Sequence, residues 1–325
     1  MVRVLREADV RAALDMRSCI DAMERAFTAY SSGGAELPAV IHLDVPERGG
    51  EIHIKAGHLH GASHYAMKVA SGFASGGAYV VDGMVVVFDA ATGAPAAFLM
   101  DHGYITDLRT GAAGGVAARH LAPQDVGAVA VIGTGAQARY QLEGLACERP
   151  FREVRIWGRN ADHARTAAED VSASAWLPDG ARVRTAASVE EAVAGADVVV
   201  TVTASREPLV RADWLAPGAH VTAVGSDGAD KQELDPTVLG RADLVVADSR
   251  AQCARIGEIH HALDAGVIEE LEIVELGEIT AGRRAGRTSN DERTVADLTG
   301  VGVQDVAAAA LVLQNAGEAG ELLEI

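Results

Sequence analysis

The stretch VAVIGTGAQARYQLEGL (129–145) decides how this chain is read. Four apolar residues, Val129 to Ile132, run straight into Gly133-Thr134-Gly135-Ala136-Gln137-Ala138, and a helical pattern follows. This is G-x-G-x-x-A in the setting the motif needs. Gly133 permits a tight turn, Gly135 lets backbone approach a pyrophosphate, and Ala138 lets helix pack closely on strand. A diphosphate would rest on Thr134 and on the free N–H groups opening the helix, with Ala136 and Gln137 first in line. Glycine is common here, at 35 residues, so the bare spacing is a weak sign. The plainer alternative is a strand-to-helix turn that binds nothing.

From Asp125 onward the chain alternates between apolar strands and helical segments. Strands are expected at 128–133, 153–158, 196–202, 220–225 and 242–247, with one more near 294, and stretches such as ASVEEAVAG (187–195) lie between them. Near-continuous apolar strands separated by helices mean a parallel sheet covered on both faces. Cofactor choice is read at the end of the second strand. It closes on Trp157-Gly158-Arg159-Asn160, without the acid that usually holds the ribose hydroxyls of NAD. A guanidinium there suits the 2′-phosphate of NADP. The expectation is NADP(H), with NAD(H) tolerated; a solvated Arg159 is the plainer alternative.

Upstream of the motif the pattern differs. Ile20, Met23, Phe27 and Tyr30 mark an amphipathic helix over 18–31, and short alternating strands are expected at 51–55, 64–69, 85–88 and 96–100. A helix rich in small residues, TGAAGGVAARHLA (110–122), follows. The fold class is therefore α/β, a Rossmann domain over 123–302 beside a smaller α+β domain that begins at residue 1 and ends at 122.

Composition narrows the partners. The chain has 325 residues, 49% hydrophobic and 23% charged, and a net charge of −18, so it is globular and repels phosphate backbones. No nucleic acid is expected. Three scattered cysteines, Cys19, Cys147 and Cys253, build neither a disulfide framework nor a zinc ribbon. With no apolar leader in MVRVLREADV and no run long enough to span a bilayer, the expected location is the cytoplasm, away from membranes.

Several polar residues stand out as chemistry. In HYAMKVA, Lys68 shares a strand face with Ala66 and Ala70, which leaves room beside its ammonium. Arg109 precedes Thr110, Gly111, Ala112 and Ala113, whose small side chains would let a ligand come close. Together the two cations suit a substrate carboxylate, against the alternative of ordinary surface charges. Asp227 follows an apolar strand in a Gly-Ser-Asp-Gly run. It is either a proton-transfer group at a strand's carboxyl end or a turn-forming aspartate. His260 and His261 are adjacent on a helix and point about 100° apart, so no metal is expected.

The motifs taken together resemble the ornithine cyclodeaminase/μ-crystallin family over essentially the whole length. The matching stretches are AMKVASGF (66–73), DLRTGAAG (107–114), VIGTGAQAR (131–139), ADVVVTVTAS (196–205), PGAHVTAVGSDGADKQELD (217–235) and TVADLTGVGVQD (294–305). RIWGR, GEIHHALDAG and GRTSNDERTVADLTGVGVQD look most like the ectoine-utilisation, cyclodeaminase-like branch.

The resemblance implies that residues 303–325 complete the N-terminal domain, which binds substrate and forms a homodimer. It implies that Lys68 and Arg109 grip the substrate carboxylate and that Asp227 acts near the amine. It also implies that Thr110, Thr203, Ser226 and Val301 contact the cofactor. Two departures matter. PAVIHLD (38–44) lacks the arginine the family usually has there, and His53 with Lys55 stand where ornithine-type enzymes carry a glutamate. Cations there disfavour a second ammonium and favour a second carboxylate, unless the strand is simply a solvated edge. The expected activity is NAD(P)H-dependent reduction of a small α-imino acid, such as iminosuccinate to aspartate. An ornithine cyclodeaminase and a non-catalytic NADP-dependent ligand binder are the alternatives.

Overall fold

The Val126–Ile132 strand lies inside an eight-stranded, wholly parallel sheet. Its alternation explains why. Val129 and Val131 face one apolar core with Val154, Ile156 and Val200, while Ala130 and Ile132 face a second with Val199, Val221 and Val295. A strand buried on both faces reads as an unbroken apolar run, which is what 128–132 shows. The chain moves outward on one side through Phe151–Trp157 and Arg182–Thr185, then returns to the other with Val198–Thr201 and His220–Ala223. The reversal beside Val126–Ile132 is the topological switch point of a Rossmann sheet, where ligands bind at the carboxyl ends of the strands.

The computed structural model describes residues 1–75 and 78–324. It divides into two compact units, Met1–Arg109 with Val301–Ile325, and Thr110–Gly300. The first division falls inside the Tyr104–Leu121 helix, because that helix packs by its later turns on Ala136–Glu148 within the second unit. A Cβ on Gly111 would lie 2.4 Å from the Tyr140 carbonyl oxygen, and one on Gly144 would lie 2.3 Å from that of Gly111. The small residues after Arg109 therefore admit a neighbouring helix at backbone contact. The expectation that they make room for a ligand is corrected on this point.

The first unit is a mixed eight-stranded sheet. Its long strands, Gly50–Leu59, His64–Ser75 and Ala78–Asp89, form an antiparallel meander. Helices Met16–Ser31 and Gly302–Asn315 belong to this unit. The first buries Ile20, Met23 and Phe27 and is capped by Asp15, whose carboxylate accepts from the Ser18 N–H at 3.0 Å. Register sorts the meander's side chains by face. His53, Ala70 and Gly83 share one row and Lys55, Lys68 and Val85 the next, while Ile41, Ile54, Val69 and Met84 line the opposite face. Cys19, Cys147 and Cys253 are free thiols. Among the described residues, no helix is long and apolar enough to cross a membrane.

Candidate active site

In the second unit the glycine turn is built as its sequence predicts. Gly133 has φ +133°, and a Cβ there would stand 2.7 Å from the Val202 carbonyl oxygen, so only glycine fits. Gly135 differs. Its backbone is ordinary extended chain at the helix start, yet a Cβ on it would meet nothing within 4 Å. The empty side opens on a cavity of about 510 Å³ lined by Gly133, Thr134, Trp157, Arg159, Thr203 and Ser205. Helix Ala136–Glu148 starts here without a side-chain cap, and a helix's first N–H groups, those of Ala136 and Gln137 among them, have no partner within the helix. Ala138 is buried against the strand core. These residues fit a dinucleotide: a bare helix N-terminus for the diphosphate, and a glycine whose missing side chain leaves the space.

The remaining cofactor candidates are placed unequally. Arg159 is exposed on the cavity rim and pairs with no acid among the described residues. Asn160 is next to it, but its side-chain oxygen caps helix Ala161–Ser172, accepting from Asp162 N at 2.8 Å and His163 N at 3.2 Å. Thr203 lines the cavity, and its N–H donates to Glu233 Oε1 at 2.5 Å. Ser226 is buried, with its hydroxyl donating to the Lys231 carbonyl at 2.6 Å. Thr110 offers its carbonyl to Gln141 Nε2 at 2.9 Å. Val301, at the start of the C-terminal helix in the first unit, is buried and donates its N–H to Gln304 Oε1 at 2.8 Å. Asp227 is exposed and forms an ion pair with Lys231 Nζ at 2.6 Å.

Sequence reasoning missed Glu233. Fully buried, it also accepts from Gly225 N at 2.8 Å and so ties the ends of the Val198–Thr201 and His220–Ala223 strands together. Burial raises its carboxyl pKa to about 7, against the pull of those two N–H groups.

The first unit holds the second cluster. Lys68 and Arg109, 2% and 4% exposed, both reach the same atom, Asp305 Oδ1, at 3.0 and 3.1 Å. Arg109 Nη1 also donates to Gln304 Oε1 at 3.1 Å. Burial, reinforced by Arg109, lowers the Lys68 pKa to about 7, although Asp305 works the other way. Burial alone would push Asp305 up, but the two cations outweigh it and hold its carboxyl below the ordinary value. Two carboxylate oxygens here lack any hydrogen-bond partner among the described residues: Asp305 Oδ2 and Asp101 Oδ1. Burial raises Asp101 to about 6, while its other oxygen accepts the Ile105 N–H at 2.7 Å. Two buried cations on one carboxylate oxygen, with a free acceptor beside them, form a site that can take a further polar group.

Asp305, at the end of GVGVQD, carries no local mark of a role beyond its place one residue after Gln304 at a helix start. Its partners lie some two hundred residues away. Lys55 stands opposite Lys68 on the neighbouring strand, and its charge further lowers the Lys68 pKa. His53, one row further out, lies 3.5 Å from Glu51 Oε2 and edge-to-face with His42 at 4.5 Å between ring centres. His260 and His261 are each engaged elsewhere, with Asp264 at 3.3 Å and the Lys231 carbonyl at 2.8 Å.

Fold and turn define the class: a Rossmann unit joined to a second α/β unit. The model of the ornithine cyclodeaminase/mu-crystallin family matches residues 2–320, and the chain belongs to that family. It is 36% identical over 318 residues to alanine dehydrogenase of Archaeoglobus fulgidus, across 96% of this chain and 94% of that one. Among solved structures it is similar to Δ1-pyrroline-2-carboxylate reductase of Thermococcus litoralis in complex with NADH and L-proline. That match has a TM-score of 0.92 and 31% identity, over 99% of this chain and 100% of the other. It is also similar to the iminosuccinate reductase of Paracoccus denitrificans in complex with NAD⁺, with a TM-score of 0.86 and 28% identity over 97% and 96% of the two chains.

Proposed function

We propose that this protein reduces a small α-imino acid to the amino acid with NAD(P)H. The observation that carries the reading is the meeting of Lys68 and Arg109 on one oxygen of buried Asp305. Two desolvated cations that share a single carboxylate oxygen can take a second anion, and an α-carboxylate matches the fork of an arginine. Holding that carboxylate withdraws electron density from the adjacent imine carbon and fixes its orientation. When bound, a reduced nicotinamide supplies the hydride that carbon accepts.

Asp227, ion-paired with Lys231, suits a cationic iminium nitrogen. Once the carbon has gained hydride, the neutral amine formed takes a proton from water or from a protonated Asp227. Asp305 Oδ2 offers a further acceptor for an N–H of the substrate. Lys55 and His53, on the Lys68 face of the sheet, favour a second carboxylate on the substrate, as in iminosuccinate. Arg159, exposed on the rim of the Gly135 cavity, supports a preference for NADP(H). Apolar side chains left open on the other sheet face, among them Ile41, Leu43 and Met67, support a homodimer in the manner of the family.

The test is a panel of 2-oxo acids with ammonia or methylamine, each run with NADH and NADPH. Consumption of one reduced cofactor per amino acid formed supports the proposal. Release of ammonia from ornithine with only catalytic NAD⁺ would replace it with cyclodeamination.

A further inference from the structure

The hairpin that ends the first unit's sheet carries four ligand-type side chains on one face. His42 and Asp44 alternate along Ile41–Val45, and Glu51 and His53 alternate along Gly50–Leu59. The register sets His42 opposite His53 and Asp44 opposite Glu51. Side chains two apart on a strand share a face, and directly opposed Cβ atoms lie about 4.5–5.5 Å apart, so the four converge.

The atoms agree with the register. The ligand atoms of His42, Glu51 and His53 all lie within 4.8 Å of one another. Glu51 Oε2 is 3.5 Å from His53 Nε2, and Asp44 Oδ1 is 2.9 Å from His42 Nε2. The same row continues from His53 through Ala70 and Gly83, which carry small side chains or none.

We infer that this face binds a divalent transition-metal ion of the zinc type. Imidazole nitrogen and carboxylate oxygen hold Zn²⁺ at about 2.0–2.2 Å, which separates tetrahedral ligand atoms by about 3.3 Å. The ligand atoms of His42, Glu51 and His53 need to close by up to about 1.5 Å from their present spacing, and exposed Asp44 stands beside His42 as a fourth. Two carboxylates balance the ion's charge, and the mixed N/O set selects zinc, nickel or cobalt over magnesium or calcium. The ion would tie the edge strand Ile41–Val45 to its neighbour and add positive charge to the face that already carries Lys55. The inference shares His53 with the proposed substrate site but needs neither the nicotinamide turn nor the Lys68 cluster, and direct metal titration tests it without turnover.

The test is calorimetric titration of the metal-free full chain with Zn²⁺ alone, repeated with Co²⁺ so that the visible spectrum reports tetrahedral ligation. The expected result is one ion per chain, an intense cobalt spectrum, and a loss of affinity of at least about tenfold in both His42→Ala and His53→Ala. His42 is exposed, so its variant keeps the fold, which circular dichroism checks. A His260→Ala/His261→Ala variant should bind as the parent does. No binding at about 100 μM Zn²⁺, or binding that survives both hairpin substitutions, overturns the inference.

Discussion

Replacing Gly135 by aspartate should move stability and cofactor affinity in opposite directions. A Cβ at this position meets no protein atom within 4 Å, and the backbone there is already extended, so the folded chain has room for a short side chain. Aspartate also improves the helix start, where Gly135 now caps nothing, and it stiffens the unfolded chain. Together these contribute about 0.5–1 kcal/mol, a rise of about 1–3 °C in Tm. The same side chain fills the space a diphosphate needs and sets a carboxylate against it. Losing one charge-assisted N–H bond costs about 1.5–3 kcal/mol, and like-charge repulsion at about 4 Å adds at least about 1 kcal/mol. Affinity for NADH and NADPH should therefore fall by at least about fiftyfold. Fluorescence titration of both cofactors and thermal denaturation without cofactor measure the two effects. Gly133→Ala serves as contrast, since it collides with Val202 and should lower Tm as well. If Gly135→Asp binds reduced cofactor within about threefold of the parent, the turn is not where the diphosphate lies and the reasoning fails.

Further outcomes follow from the two clusters. Lys68 must carry its proton to grip a carboxylate, and its pKa is lowered from 10.5 to about 7, so kcat/KM should fall about tenfold per pH unit above that value. Across the same window this residue makes folding more favourable as pH rises, because the unfolded chain still holds the proton that the folded chain has shed. Asp305→Asn strands two buried cations, which should cost about 3–5 kcal/mol in denaturant titration and shift the break in the pH profile below 7; an unchanged profile would contradict the shared ion pair. Arg159→Ala should weaken NADPH by about tenfold or more and leave NADH unaffected, and equal loss of both would remove the case for NADP. Glu233→Gln cannot accept from both the Thr203 and Gly225 N–H groups. It should lose about 1–3 kcal/mol and raise KM for cofactor, as read by denaturation and steady-state kinetics.

What the sequence revealed was local. The turn at 133–138, the run of parallel strands and the helix over Met16–Ser31 all depend on spacing within a dozen residues, and their physics is visible in the order of side chains. Lys68 and Arg109 stood out for the same reason, each flanked by small neighbours. What was hidden depends on partners far apart in the chain. Val2–Arg6, within a stretch that shows no apolar leader, is a strand parallel to Pro95–Met100 and antiparallel to Glu321–Leu323, a pairing that joins both ends of the chain. Asp305 finds Lys68 only because the C-terminal helix belongs to the first unit's structure. The small residues after Arg109 suggested space for a ligand because sequence cannot say what approaches a small residue, and at Gly111 it is a helix. The His42–His53 pairing needed the hairpin register, which the loop through Pro46–Arg48 fixes but does not announce.

One measurement bears most directly on the redox account. The purified protein is incubated with a 2-oxo acid, an amine and reduced cofactor deuterated at the transferable position, and the amino acid formed is examined by mass spectrometry and proton NMR. The account predicts a single deuterium on the α-carbon and one oxidised cofactor for each amino acid produced. Product without label, or a cofactor that returns reduced after every turnover, would contradict it.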